Sequence, residues 1–78
     1  MLSDATLLDF EARHPGHPPG KQQAIEAELG ISAARFYQLL SRTLEHPEAE
    51  RLNPVLVHGL RRLRDRAERR QRTTSRAY

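Results

Sequence analysis

The stretch "SAARFYQLLSR", residues 32–42, holds the side chains of this 78-residue chain best suited to meeting a partner. Gln38 can pair bidentately with adenine, and Arg35 or Arg42 with guanine or a phosphate. Ala33 and Ala34 keep the start of the stretch small, which permits close approach and contact with a thymine methyl. Tyr37 and Ser41 belong to the same outward set. Ser32 and Lys21 suit a phosphate backbone, Ser32 because a helix N-terminus favours anions.

A second set lies in "RRLRDRAERRQR", residues 61–72, where Arg61, Arg62, Arg64, Arg66, Arg69, Arg70 and Arg72 surround one helix. Arginine suits phosphate better than lysine because its planar fork donates two parallel hydrogen bonds. The overall charge of +3 conceals this concentration. Residues 1–50 hold four basic and eight acidic side chains, a net −4; residues 51–78 hold nine arginines against Asp65 and Glu68, a net +7. Such a basic arm points to nucleic acid or another anionic surface, and RNA or an acidic protein face would serve as well as DNA. The segment 21–44 has only three basic residues against Glu26 and Glu28, so the arm must supply most of the phosphate neutralisation.

Other chemistries find little support. With no cysteine, disulfides, thiol catalysis and cysteine-containing zinc sites are excluded. His14 and His17 are three apart between prolines and read as solvated loop histidines, not as part of a metal site. Gly16 and Gly20 stand in a proline connector without the Lys-Ser/Thr of a phosphate loop. Glu48 and Glu50 fall on a short exposed turn with no evident pocket. We therefore expect a non-enzyme with no cofactor and no small-molecule substrate. The N-terminus lacks the pattern of a signal peptide, and no apolar run nears the roughly 20 residues of a membrane span. The expectation is a cytoplasmic protein without membrane contact.

These residues must be positioned by helices, and the expected fold is all-α, with about four of them. Ser3 or Asp4 caps a first helix to about Arg13, contributing Leu7, Leu8 and Phe10 to a core. "HPGHPPG", residues 14–20, breaks it with three prolines and two glycines. Helical periodicity resumes from Lys21 to Leu29 through Ala24, Ile25 and Leu29. Gly30 permits a sharp turn, and Ser32 caps a helix to about Leu44 that turns Phe36, Leu39, Leu40 and Leu44 inward. His46-Pro47 ends it, and "PEAERL" forms at most one turn. Asn53-Pro54 starts the last helix, to about Arg70, with Leu56, Leu60, Leu63 and Ala67 on one stripe. The stripe serves as core or, alternatively, as a homodimer seam. Residues 1–72 thus make a single helical domain, with a helix-turn-helix at 21–44 and a basic helix at 54–70. Residues 73–78 are expected to be a flexible tail.

Ile25, Leu29, Gly30, Ile31, Phe36 and Leu39 resemble the core pattern of bacterial helix-turn-helix DNA-binding regulators, and "LGIS" resembles their turn. Glu26 departs from that pattern, which usually has a small residue where the two helices cross. More widely, "LLDFEARH", "GKQQAIEAELGISAARFYQLL" and "NPVLVHGLRRLRDR" are similar in order and spacing to a family of small actinobacterial helix-turn-helix proteins catalogued as a domain of unknown function. That similarity covers nearly the whole chain, to about residue 66. At the position of His14 the family often has aromatics. The resemblance implies the fold and brings no established target. The expected function is a DNA-binding transcriptional regulator, with helix 32–44 in the major groove and the arginine helix on phosphates; a dimer would read half-sites about 34–36 Å apart. The alternative is an interaction adaptor docking on transcription machinery or another acidic partner.

Overall fold

Phe10 and Phe36 meet edge to face with ring centroids 5.3 Å apart, and neither ring is exposed. Around this contact the computed structural model, which describes residues 2–76 and the side chains of residues 2–70, arranges five helices. They are α1 (Asp4–Arg13), α2 (Lys21–Leu29), α3 (Ala33–Glu45), α4 (Ala49–Leu52) and α5 (Pro54–Arg76). Among the described residues the fold is all-α, and α3 lies at its centre, in contact with every other helix.

Ser3, in an extended conformation, is the cap of α1: its Oγ accepts from the Thr6 N–H at 3.2 Å. Asp4 is thereby free for a longer-range role. One carboxylate oxygen accepts from Thr43 Oγ1 at 2.8 Å and the other meets His46 Nδ1 at 2.9 Å, which ties the start of α1 to the end of α3. Leu7, Leu8 and Phe10 are buried from α1, Ile25 from α2, and Phe36, Leu40 and Leu44 from α3. Each such side chain contributes roughly 1.5–3 kcal/mol on burial. Leu39, expected inward, is only half-buried, while Thr43 occupies the inner face beside it. The "PEAERL" turn is the short helix α4, whose Ala49 is fully buried.

Asn53 caps α5, accepting from the Leu56 N–H at 3.2 Å. Among the described side chains of this helix the buried one is Val57, with Leu56 and Leu60 half-buried beside it. The expected stripe therefore fails beyond Leu60: Leu63 is 60% exposed and Ala67 is exposed. The line facing the body passes instead through Val57, Leu60, Arg61 and Arg64, and α5 then runs out beyond the core. The helix also continues to Arg76 rather than ending near Arg70, so residues 73–76, expected as tail, are helical. Neither glycine nor proline interrupts that stretch. Ala77, Tyr78 and the side chain of Arg72 lie outside the described residues. At 23 residues, α5 is about 34 Å long at 1.5 Å per residue. No helix among the described residues is long and apolar enough to cross a membrane.

Candidate nucleic-acid interface

The site begins with one glycine. Gly30 ends α2 at φ 71° and ψ 21°, a left-handed conformation that a Cβ disfavours, and its N–H donates to the Glu26 carbonyl at 3.1 Å. The chain turns through half-buried Ile31 into Ser32, whose Oγ accepts from the Arg35 N–H at 3.1 Å. That cap starts α3 with one face on the core and the opposite face in solvent. Ala34, Arg35, Gln38, Ser41 and Arg42 are exposed on this outer face, followed by Glu45 at its end. Arg35 Nη1 donates to Gln38 Oε1 at 3.3 Å, so two of the expected base-contacting residues form one unit. Glu26, the departure from the helix-turn-helix pattern, is exposed, with Gln22 Nε2 3.5 Å from its carboxylate, and leaves the crossing of α2 and α3 clear.

Two members of the expected outward set are turned toward the body. Ala33 is half-buried against the core. Tyr37 is half-buried as well, its hydroxyl 3.0 Å from His17 Nδ1 and its ring edge-on to Phe36 with centroids 5.1 Å apart. His17 thus anchors the proline connector to α3. His14 is likewise more than a solvated loop residue: its ring lies 4.6 Å from Phe10 and its Nε2 is 3.2 Å from Glu28. Among the described residues no cluster of three or more His, Asp or Glu is placed to hold a metal ion.

Lys21 leaves the candidate set. Its side chain is 4% exposed, and its Nζ donates to Glu11 Oε1 at 2.6 Å and to the Gly16 carbonyl at 2.7 Å. It also lies 5.7 Å from the Phe36 ring and 5.5 Å from the Tyr37 ring. The reason is electrostatic: Glu11 is buried on α1, and a buried carboxylate needs a cation and hydrogen bonds beside it. The connector supplies the remaining acceptor, because Gly16 at φ 73° turns its carbonyl to the ammonium. A second link runs outside this one, where Arg13 Nη1 donates to Glu28 at 2.8 Å and Nε to Asp9 at 3.1 Å. The Arg13 guanidinium holds the Glu28 carboxyl below its ordinary range.

Arg61 leaves the set for a similar reason. Its Nε donates to the Leu44 carbonyl at 2.8 Å and its Nη2 to the His46 carbonyl at 3.4 Å, while Nη1 pairs with Glu50. The Leu44 carbonyl lies in the last turn of α3, where the helix has no internal donor for it, and the His46 carbonyl just beyond also accepts from the Ala49 N–H at 3.1 Å. The guanidinium also holds Glu50 below the usual carboxylate range, and His58 stands 3.6 Å from the same carboxylate.

The remaining arginines divide by helix face. Arg62, Arg66 and Arg69, at i, i+4 and i+7, share one exposed side of α5, with Asp65 at its edge. Arg70 is exposed too. Arg64 is half-buried and faces the body, where it joins His17, Tyr37, Leu40, Leu60 and Leu63 around a shallow groove of about 270 Å³. Of these remaining arginines it is the one that lines a groove together with residues of α3. Sequence reasoning missed Asp4, Glu11, Thr43 and the His17–Tyr37 contact. Only for Glu11 was there a signal, an acidic residue on the inward side of α1 one position from Phe10.

No curated protein and no solved structure matches the chain. A family model does match, over residues 2–73, and the chain accordingly belongs to the family described as "Protein of unknown function (DUF3263)".

Proposed function

We propose that this protein binds double-stranded DNA as a non-catalytic transcriptional regulator in the cytoplasm, with α3 in the major groove and α5 on the phosphate backbone. The observation that carries this reading is the outer face of α3: directly after the Gly30 turn it presents Arg35, Gln38, Ser41 and Arg42 behind the small Ala34. A helix nose of that size enters a major groove closely, and donors of that reach contact base edges. Ser32, next to the helix N-terminus, adds a phosphate contact.

Charge on α3 is insufficient alone, since Glu45 offsets one of its two arginines. Arg62, Arg66, Arg69 and Arg70 of α5 add the neutralisation, together with Arg64 at the groove beside α3. If about five phosphates are neutralised, log K falls with log salt at a slope of about −4.5, roughly a 500-fold loss from 50 to 200 mM. Fluorescence anisotropy on labelled duplexes across that range tests the proposal. A flat salt response, or binding indifferent to the double change Arg35→Ala and Gln38→Ala, would remove α3 from the interface.

The groove beside α3 favours a second reading. Leu63, 60% exposed at its rim, suits a protein partner, which includes transcription machinery or a second copy of the chain. Stoichiometric capture of one protein, unaffected by nuclease and abolished by Leu63→Asp, would support that role.

A further inference from the structure

Arg61 and Arg64 are both half-buried on α5, but only Arg61 has its donors taken, by two carbonyls and Glu50. Among the described residues the Arg64 guanidinium makes no hydrogen bond or ion pair. Each of the other polar side chains lining its groove already has a partner. Lys21 neutralises the Glu11 carboxylate, and His17 Nδ1 meets the Tyr37 hydroxyl. Around Arg64 the lining is apolar: Leu40 is buried, Leu60 is half-buried, and Leu63 stands exposed at the rim.

This combination narrows what the groove can hold. A half-buried cation gains most from a carboxylate, which a guanidinium meets with two parallel hydrogen bonds. Leu63 gains from apolar cover. A phosphate group supplies the charge and no apolar surface. The chain is itself net positive, at +3, so a second copy meets the groove with like charge. Small-molecule pockets run from about 300 to 1,000 Å³. At about 270 Å³ the groove lies below that range and suits a side chain or two of a protein.

We propose that this groove docks an acidic peptide segment of a partner protein, with one large apolar side chain between Leu40, Leu60 and Leu63 and a neighbouring carboxylate on Arg64. The proposal rests on the protein-partner reading above and deepens it by naming what the partner presents. Residues 51–78, at a net +7, favour the same partner at longer range, because opposite charge speeds encounter.

Phage display of random peptides against the intact chain, followed by fluorescence anisotropy on the recovered peptides, tests it. Those peptides are expected to carry Leu, Ile or Phe within about four residues of Asp or Glu, one helical turn. Arg64→Gln should weaken their binding roughly tenfold, and Leu63→Asp should abolish it. Changing the peptide's acid to its amide should cost the wild type the same roughly tenfold and the Arg64→Gln protein almost nothing. Thermal denaturation checks that both variants remain folded. Peptides that need Leu63 but tolerate loss of their acid overturn the acidic partner and leave the protein-partner reading standing. A concentration-dependent dimer lost in Leu63→Asp overturns it in favour of a second copy. If Arg64→Gln spares peptide binding and flattens the salt slope of DNA binding, Arg64 belongs to the phosphate backbone and the proposal fails. Recovery of no peptide that distinguishes the wild type from Leu63→Asp also overturns it, while stoichiometric capture of a protein through Leu63 would still uphold the broader reading.

Discussion

Lys21 and Arg35 stand on the two helices joined by the Gly30 turn, and the fold uses their charges in opposite ways. Lys21 is enclosed between Glu11, the Gly16 carbonyl and two aromatic rings. Arg35 is exposed and engages a neutral glutamine on its own helix. The difference lies in what each helix face meets. Lys21 opens α2 directly over a buried carboxylate, whereas Arg35 projects from the side of α3 away from Phe36 and Leu40. The same division separates neighbours on α5, where Arg61 closes the end of α3 and Arg62 points outward. A basic side chain is available to a ligand only where the fold has not already spent its donors.

The largest effect that could break this contrast is on stability. Lys21→Met leaves Glu11 buried without its cation and should cost about 3–5 kcal/mol, much of the stability of a small domain. Adding Glu11→Leu should restore most of the loss, since an apolar pair of similar volume replaces a buried ion pair without penalty. Arg35→Ala should change stability by less than about 0.5 kcal/mol. Urea denaturation compares the three, and a Lys21→Met midpoint equal to that of the wild type would erase the distinction.

The pair on α5 sharpens it at intermediate size. Arg61→Ala removes donors from two carbonyls and Glu50, and should cost about 1–2 kcal/mol with no change in the salt slope of DNA binding. Arg62→Ala should leave thermal stability alone and lower the magnitude of that slope by about 0.9. If Arg61→Ala flattens the slope and Arg62→Ala does not, their assignments are reversed.

The smallest effect concerns pH. The hydrogen bond that His46 donates to the Asp4 carboxylate raises the His46 pKa, so this contribution is complete below the ordinary histidine value of about 6.5 and fades as pH climbs through the raised value. Hydrogen bonds from His46 and then Thr43 lower the pKa of Asp4. Its contribution is complete above about 3.9 and fades as pH falls through the lowered value. The clasp between α1 and α3 is therefore strongest between those limits. His46→Gln should flatten the alkaline decline in melting temperature between about pH 6 and 8; an unaltered decline would assign it to another group.

Much of this architecture was legible because its causes are local. Ser3, Ser32 and Asn53 cap helices with their own side chains, Gly30 makes its turn through a conformation that it alone adopts freely, and His46-Pro47 stops α3. None of these depends on a distant residue. The errors share the opposite origin. Leu63 falls on a plausible helical stripe, but the body that would cover it ends near Arg64. Asp4 and His46 are 42 residues apart, so no spacing pattern joins them. The candidate site divided in the same way: Arg35, Gln38, Ser41 and Arg42 follow from the helical period, while the loss of Lys21 and Arg61 does not.

By itself the sequence determined where the helices begin, which of their faces are apolar, and that positive charge gathers in the last third of the chain. These are properties of neighbouring residues and of short helical periods. Tertiary structure alone decided which charges stay available, because burial and hydrogen-bond satisfaction depend on what another helix brings alongside. It placed Glu11 beneath Lys21, set the last carbonyls of α3 before Arg61, and left the outer face of α3 uncovered.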